Sequence, residues 1–203
     1  MNPLNSVAGA ITSGFIAAVL VIIIVVALGG SPGSFYELGL ARWLHIISGI
    51  TWIGLLYYFN LVQTPGLAAA AADKGGPGGA GVAKYIAPRA LFWFRWAAVA
   101  TWVTGAWYLI RTMNFTNALT LGHGGSDKYG LIIGIGAWLG TIMLLNVWGL
   151  IWPNQKKILG IVPASDAEKA KARKTAGMAS RINFVLSIPL ILCMGSAFHG
   201  LPF

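Results

Sequence analysis

The chain has 203 residues, of which 57% are apolar and only 9% charged, and its mean hydropathy is +0.73. A soluble domain carries about 25% charged residues, and a chain of this length cannot hide so much apolar surface in one aqueous core. A soluble enzyme, a disulfide scaffold and a disordered tail are therefore excluded, and an all-α integral membrane protein is predicted. Fourteen basic residues against five acidic ones give a net charge of +9, which reads as membrane topology and contact with anionic lipid rather than nucleic acid. The one cysteine, Cys193, leaves no internal disulfide and no Cys-x-x-Cys-His attachment of a c-type haem.

A spanning helix needs roughly 20 apolar residues, and five stretches supply them within a single transmembrane domain, 1–203. The first, 11–28, is uncharged and centres on VLVIIIVVAL. No basic segment precedes it and no Ala-x-Ala site follows it, so it is expected to be a retained anchor rather than a cleaved signal. The second covers 38–62, the third 90–110, the fourth 129–152 and the fifth 182–201. Between the second and third, DKGGPGGAG (Asp73–Gly81) reads as a flexible linker. Between the fourth and fifth, the loop 153–178 holds Lys156, Lys157, Lys169, Lys171, Arg173 and Lys174. Such an excess of basic residues marks the cytoplasmic side. Alternation then puts the amino terminus in the cytoplasm, the carboxyl terminus in the periplasm, and the connections 29–37 and 111–128 outside. Ser165 with Glu168 forms a capping-box pattern ahead of a Lys/Ala-rich run, which predicts a short basic helix on the membrane surface.

Three histidines fall on the outer side of this arrangement. His45 lies about two turns into the second span and His199 in the last turn of the fifth, while His123 sits in the loop GHGGSDK. Two membrane-embedded histidines at similar depth on different helices point to a shared ligand, and haem b between two imidazoles fits such a pair. Gly49 one turn from His45, and Gly195 and Ser196 one turn from His199, would let a flat macrocycle approach. Arg42, one turn outward from His45, is placed for a propionate, and Trp52 lies on the His45 face at i+7. The alternative is structural: intramembrane His bonds a neighbouring helix, and small residues serve helix packing. Copper or zinc held by His45, His123 and His199 is the weakest option, because no carboxylate is placed to help.

Arg95 sits in FWFRW, two turns inside the third span. A buried guanidinium is expensive without a partner; snorkelling, stacking on Trp93 or Trp96, and contact with a substrate or quinone are the choices. Trp43, Trp107 and Trp152, near span ends, fit an aromatic belt. Gly130, Gly134, Gly136 and Gly140 mark the fourth span for close helix contact; no strand precedes them, so they are no dinucleotide fingerprint. No P-loop, Ser/His/Asp constellation or carboxylate pair occurs.

Four strings carry a resemblance: RWLHIISGITWIGLLYYFNLVQTP (Arg42–Pro65), APRALFWFRWAAVATWVTG (Ala87–Gly105), LGTIMLLNVWGLIWPNQKKI (Leu139–Ile158) and SRINFVLSIPLILCMGSAFH (Ser180–His199). Together they resemble the membrane-embedded urate oxidase N-terminal domain family, also described as the urate hydroxylase membrane domain. The resemblance implies a multi-span domain associated with urate oxidation coupled to respiration, joined in its better-known architecture to a carboxyl-terminal cytochrome c. This sequence carries no such domain, so a separate protein is expected to accept electrons.

Three functions follow from the residues and the resemblance. The first is a redox module in a bacterial inner (cytoplasmic) membrane, with haem b on His45 and His199, exchanging electrons with a periplasmic cytochrome c or a larger oxidoreductase. The second is a cofactor-free structural subunit among other membrane proteins and lipids. The third is a membrane oxidase acting on urate or another small substrate, with Arg95 and Asn146 among its polar contacts.

Overall fold

The computed structural model describes residues 2–29 and 36–202. Residues 30–35, most of the expected first outer connection, lie outside the described residues. Among the described residues the secondary structure is helical, without strands. The chain divides into two units, Met1–Glu37 and Leu38–Phe203. In the first, a short 3-10 turn at Pro3–Asn5 leads into α1 (Val7–Gly29). Asn2 caps the turn by accepting from the Leu4 N–H.

The second unit holds α2 (Glu37–Tyr57) from its second residue on, α3 (Thr64–Ala72), α4 (Ala87–Arg111), the short α5 (Phe115–Leu119) and α6 (Leu121–Gly125), then α7 (Lys128–Asn146), α8 (Trp152–Ile158) and α9 (Asp166–His199). Three π-helical segments join them: Tyr58–Gln63 between α2 and α3, Val82–Ile86 ahead of α4, and Val147–Ile151 between α7 and α8. Each ends two residues before a proline, at Pro65, Pro88 and Pro153. Proline has no N–H to give the carbonyl four residues back, and its ring crowds that carbonyl. The preceding N–H groups of Thr64, Ala87 and Trp152 reach back five residues instead, to Phe59, Val82 and Val147. The helix widens rather than breaks. Pro189, inside α9, has no such segment beside it.

Among the described residues, four helices are long and apolar enough to cross a membrane: Val7–Gly29, Glu37–Ala72, Lys128–Ile158 and Asp166–His199. The expected third span forms α4, 25 residues long, but Arg95 with its Trp and Thr neighbours leaves it less apolar than these four. Two helices run past the expected spans. The helix that carries the second span, 38–62, continues through the π segment to Ala72. The basic surface helix and the fifth span are one helix of 34 residues, because no residue between Ser165 and Ile182 stops a helix. The capping box forms as read: Ser165 Oγ accepts the Glu168 N–H, and the Glu168 carboxylate accepts the Ser165 N–H at 2.8 Å.

α9 is about 51 Å long at 1.5 Å per residue, well beyond a hydrocarbon core of about 30 Å. Its buried stripe (Ala172, Ala176, Ala179, Asn183, Ser187, Leu190) repeats every three or four residues and is mostly small, which lets α7 and α8 approach closely. The main core contains Leu56, Phe59, Phe94, Met143, Val147 and Ala179, with the Phe59 and Phe94 rings edge to face at 5.4 Å. The outward residues are apolar too: Ile50 is 68% and Val185 66% exposed. In water that surface would be a liability; in lipid it costs nothing, and dispersion and interhelical hydrogen bonds hold the bundle instead.

Candidate functional site

His45 leans on α4. Its Nδ1 lies 2.8 Å from the Thr101 carbonyl oxygen. A carbonyl only accepts, so Nδ1 carries the proton and Nε2 of the neutral ring keeps its lone pair. The ring fits because residue 105 is glycine: a Cβ there would sit 2.9 Å from His45 Cε1 and 3.0 Å from Nδ1. The Thr104 hydroxyl donates to the same Thr101 carbonyl. Gly49, one turn on, faces the Thr101 methyl, where a Cβ would meet Cγ2 at 3.8 Å. The α2–α4 crossing thus already uses Gly49 for helix contact. Trp52 is 2% exposed, and its indole Nε1 is buried with no hydrogen-bond partner among the described residues. Arg42 is exposed.

His199 is the last residue of α9 and is exposed. Ser196, on the preceding turn, is buried, and its carbonyl accepts the Gly200 N–H at 2.8 Å. A Cβ at Gly195 would meet nothing within 4 Å, so no packing contact requires glycine there. α2 and α9 run antiparallel: Asn60 Nδ2 donates to Ser180 Oγ at 2.9 Å, and the Ser187 hydroxyl donates to the Tyr57 hydroxyl at 3.3 Å. His45 and His199 each lie twelve residues from the Tyr57–Ser187 contact, toward the same end. That is about 18 Å along each helix.

His123 stands in a left-handed turn. Leu121, Gly122, His123, Gly124 and Gly125 all have positive φ, from 52° to 96°. At Gly122 a Cβ would meet the Asp127 carbonyl oxygen at 2.1 Å, so both conformation and space require glycine. Leu121 and His123 hold the same conformation with side chains, a strained choice for L-residues. The turn ends at Asp127, the N-cap of α7, whose carboxylate accepts the Tyr129 and Gly130 N–H groups. Asn117 Nδ2 also donates to it. That amide contact, then the two backbone N–H groups and the nearby His123, hold the Asp127 carboxyl below the usual range.

Arg95, Asn146 and Asn183 have protein partners. Arg95 stacks on Trp152, Cζ 3.7 Å from the ring centroid, with Phe92 at 5.5 Å. This corrects the expected partners: Trp96 makes an edge contact with Trp148, and Trp93 with Phe92. Arg95 and Phe92 share a helix face at i−3, whereas Trp152 comes from α8 and no local spacing reveals it. Asn146 Nδ2 donates to Asn183 Oδ1 at 2.9 Å, and Asn183 Nδ2 donates to the Met143 carbonyl at 3.0 Å. Asn183 is fully buried. The expected close contacts of the α7 glycines are present: a Cβ at Gly134 would meet the Ala118 carbonyl oxygen at 2.3 Å, and one at Gly136 the Met194 Cε at 2.9 Å.

Sequence reasoning missed Thr101, Gly105, Asp127 and Asn183. Asp127 had a signal, an N-cap residue directly ahead of an apolar run. Asn183 had one as well, an amide on a stripe of small residues. No group of three His, Cys, Asp or Glu residues that could hold a metal ion occurs among the described residues, so the three histidines do not form such a site there.

Residues 123–203 match the Urate oxidase N-terminal family. This agrees with the resemblance carried by Leu139–Ile158 and Ser180–His199; Arg42–Pro65 and Ala87–Gly105 lie outside the matched residues. His123 and His199 are inside the match and His45 is not. No curated protein and no solved structure matches the chain.

Proposed function

We propose that the chain is a five-span redox module of a bacterial inner membrane, in which His45 and His199 would hold haem b. The observation that carries this reading is the Nδ1 contact of His45 with the Thr101 carbonyl. A metal-bound imidazole commonly donates its other N–H to a backbone carbonyl, which fixes the ring and its tautomer. The matching position of His199 along the antiparallel α9 supports the second ligand, and the unpartnered Trp52 indole supports a polar group on the same side of α2. Haem b supplies one-electron transfer when bound; Arg42 would face a propionate. In this reading α4 is the third span, the basic half of α9 is cytoplasmic, and the histidines meet a periplasmic cytochrome c or a larger oxidoreductase.

The test is the reduced-minus-oxidised absorption spectrum of the purified chain. A low-spin b-type spectrum is expected, lost in both His45→Ala and His199→Ala and retained in His123→Ala. A spectrum without haem, or one unchanged by either substitution, overturns the assignment. The second reading, a cofactor-free subunit of a larger membrane complex, is favoured by the way intramembrane amides and hydroxyls bond one another. The family match supports a third, a membrane oxidase acting on urate or another small substrate, with Arg95 and Asn146 as polar contacts.

A further inference from the structure

The outer surface of α9 changes character once along its length. Lys171 and Lys174 are followed at helical spacing by Met178 and Ile182, and all four are exposed. These residues line a groove of about 480 Å³ together with Leu150, in the π segment after α7, and with Thr175 and Ala179. Neither lysine forms an ion pair with a carboxylate among the described residues. The acidic residues of this end are already engaged: Glu168 with the capping box, and Asp166 at 3.9 Å from Lys169. The groove therefore has a cationic mouth and an apolar floor, on a helix about 20 Å longer than a hydrocarbon core is thick. Lys174 precedes Met178 by about one helical turn and Lys171 by about two.

We propose that this groove is a binding site for one anionic phospholipid, with its phosphate between the Lys171 and Lys174 ammonium groups and an acyl chain along Met178, Ile182 and Leu150. Charge complementarity selects the headgroup: basic pockets between membrane helices take anionic lipids. The floor selects a lipid over a free phosphate, because exposed Met, Leu and Ile gain nothing from a soluble anion. The π segment contributes by widening the helix that carries Leu150. The site does not depend on whether a haem is bound.

The full chain is purified in a neutral detergent, titrated with dioleoyl-phosphatidylglycerol or dioleoyl-phosphatidylcholine, and examined by native mass spectrometry. One tightly retained phosphatidylglycerol is expected, favoured over phosphatidylcholine. The double variant Lys171→Gln, Lys174→Gln should weaken it by about thirtyfold, the scale of two lysines acting on an anionic headgroup. Lys169→Gln, which removes the same type of charge outside the groove, should leave retention unchanged. Met178→Asp should lower retention of both lipids by placing a carboxylate on the floor. Equal losses in Lys169→Gln and the double variant would overturn the site, since charge alone would then explain binding. Equal competition by glycerophosphoglycerol, the headgroup without acyl chains, would overturn it as well by showing that the floor is unused. Circular dichroism checks that each variant keeps its helix content.

Discussion

The Asn146–Asn183 contact separates two roles for Asn146, helix adhesion and substrate contact. Asn183→Ala removes two hydrogen bonds, one from Asn146 and one to the Met143 carbonyl. Interhelical hydrogen bonds in a membrane protein average about 0.6 kcal/mol and reach about 1.7. The expected loss for Asn183→Ala is therefore about 1–3 kcal/mol, and for Asn146→Ala about 0.6–1.7 kcal/mol. The double variant should lose less than the sum, because the shared bond is counted in both single variants; the coupling should be about 0.6–1.7 kcal/mol. Unfolding of the four proteins in mixed micelles, followed by circular dichroism against the mole fraction of dodecyl sulfate, measures it. Additivity within about 0.3 kcal/mol would refute the argument that this pair ties α7 to α9. Unchanged stability in Asn146→Ala, together with weaker substrate binding, would return Asn146 to the substrate role.

Gly105→Ala should displace the His45 ring, because the new Cβ would sit 2.9 Å from Cε1; nitrogen NMR of the imidazole should report loss of the Nδ1 bond, and an unchanged spectrum would contradict the contact. Asp127 has its carboxyl pKa lowered by folding, so its contribution is complete above the ordinary carboxylate pKa of about 4 and is lost as pH falls through the lowered value. Stability followed between pH 6 and 2 should therefore decline less steeply in Asp127→Ala, and parallel curves would refute this. Protease added to sealed, right-side-out vesicles should spare the segment 153–178 if its lysines are cytoplasmic; cleavage there would reverse the orientation.

The long apolar runs made most of the helices legible, since a spanning helix needs only length and composition. The Gly contacts of α7 were legible because small residues at close spacing have few other uses in a membrane. What each polar side chain touches was not. Arg95 passes over its neighbours Trp93 and Trp96 to stack on Trp152, and His45 finds a backbone carbonyl on α4. Both choices depend on how helices far apart in sequence are rotated against each other, which local periodicity does not encode. The left-handed turn at 121–125 was hidden for a different reason: GHGG permits many turns, and only the crowding of Gly122 against Asp127 selects this one.

The π segments act as one-residue phase shifts. A turn closed by a bond to the fifth residue back holds one more residue than an α-turn, so the side chains beyond it are rotated by about 100° relative to an uninterrupted helix. Positions that share a face in α2 do not continue onto the same face of α3, and the glycine face of α7 does not continue into α8. Within the segment 147–151, Val147 and Ile151 are both buried and Leu150 is exposed. Deleting one residue there would bring α8 back into α-helical phase and turn Trp152 away from Arg95. In these two helices the count of residues across the proline matters as much as their identity.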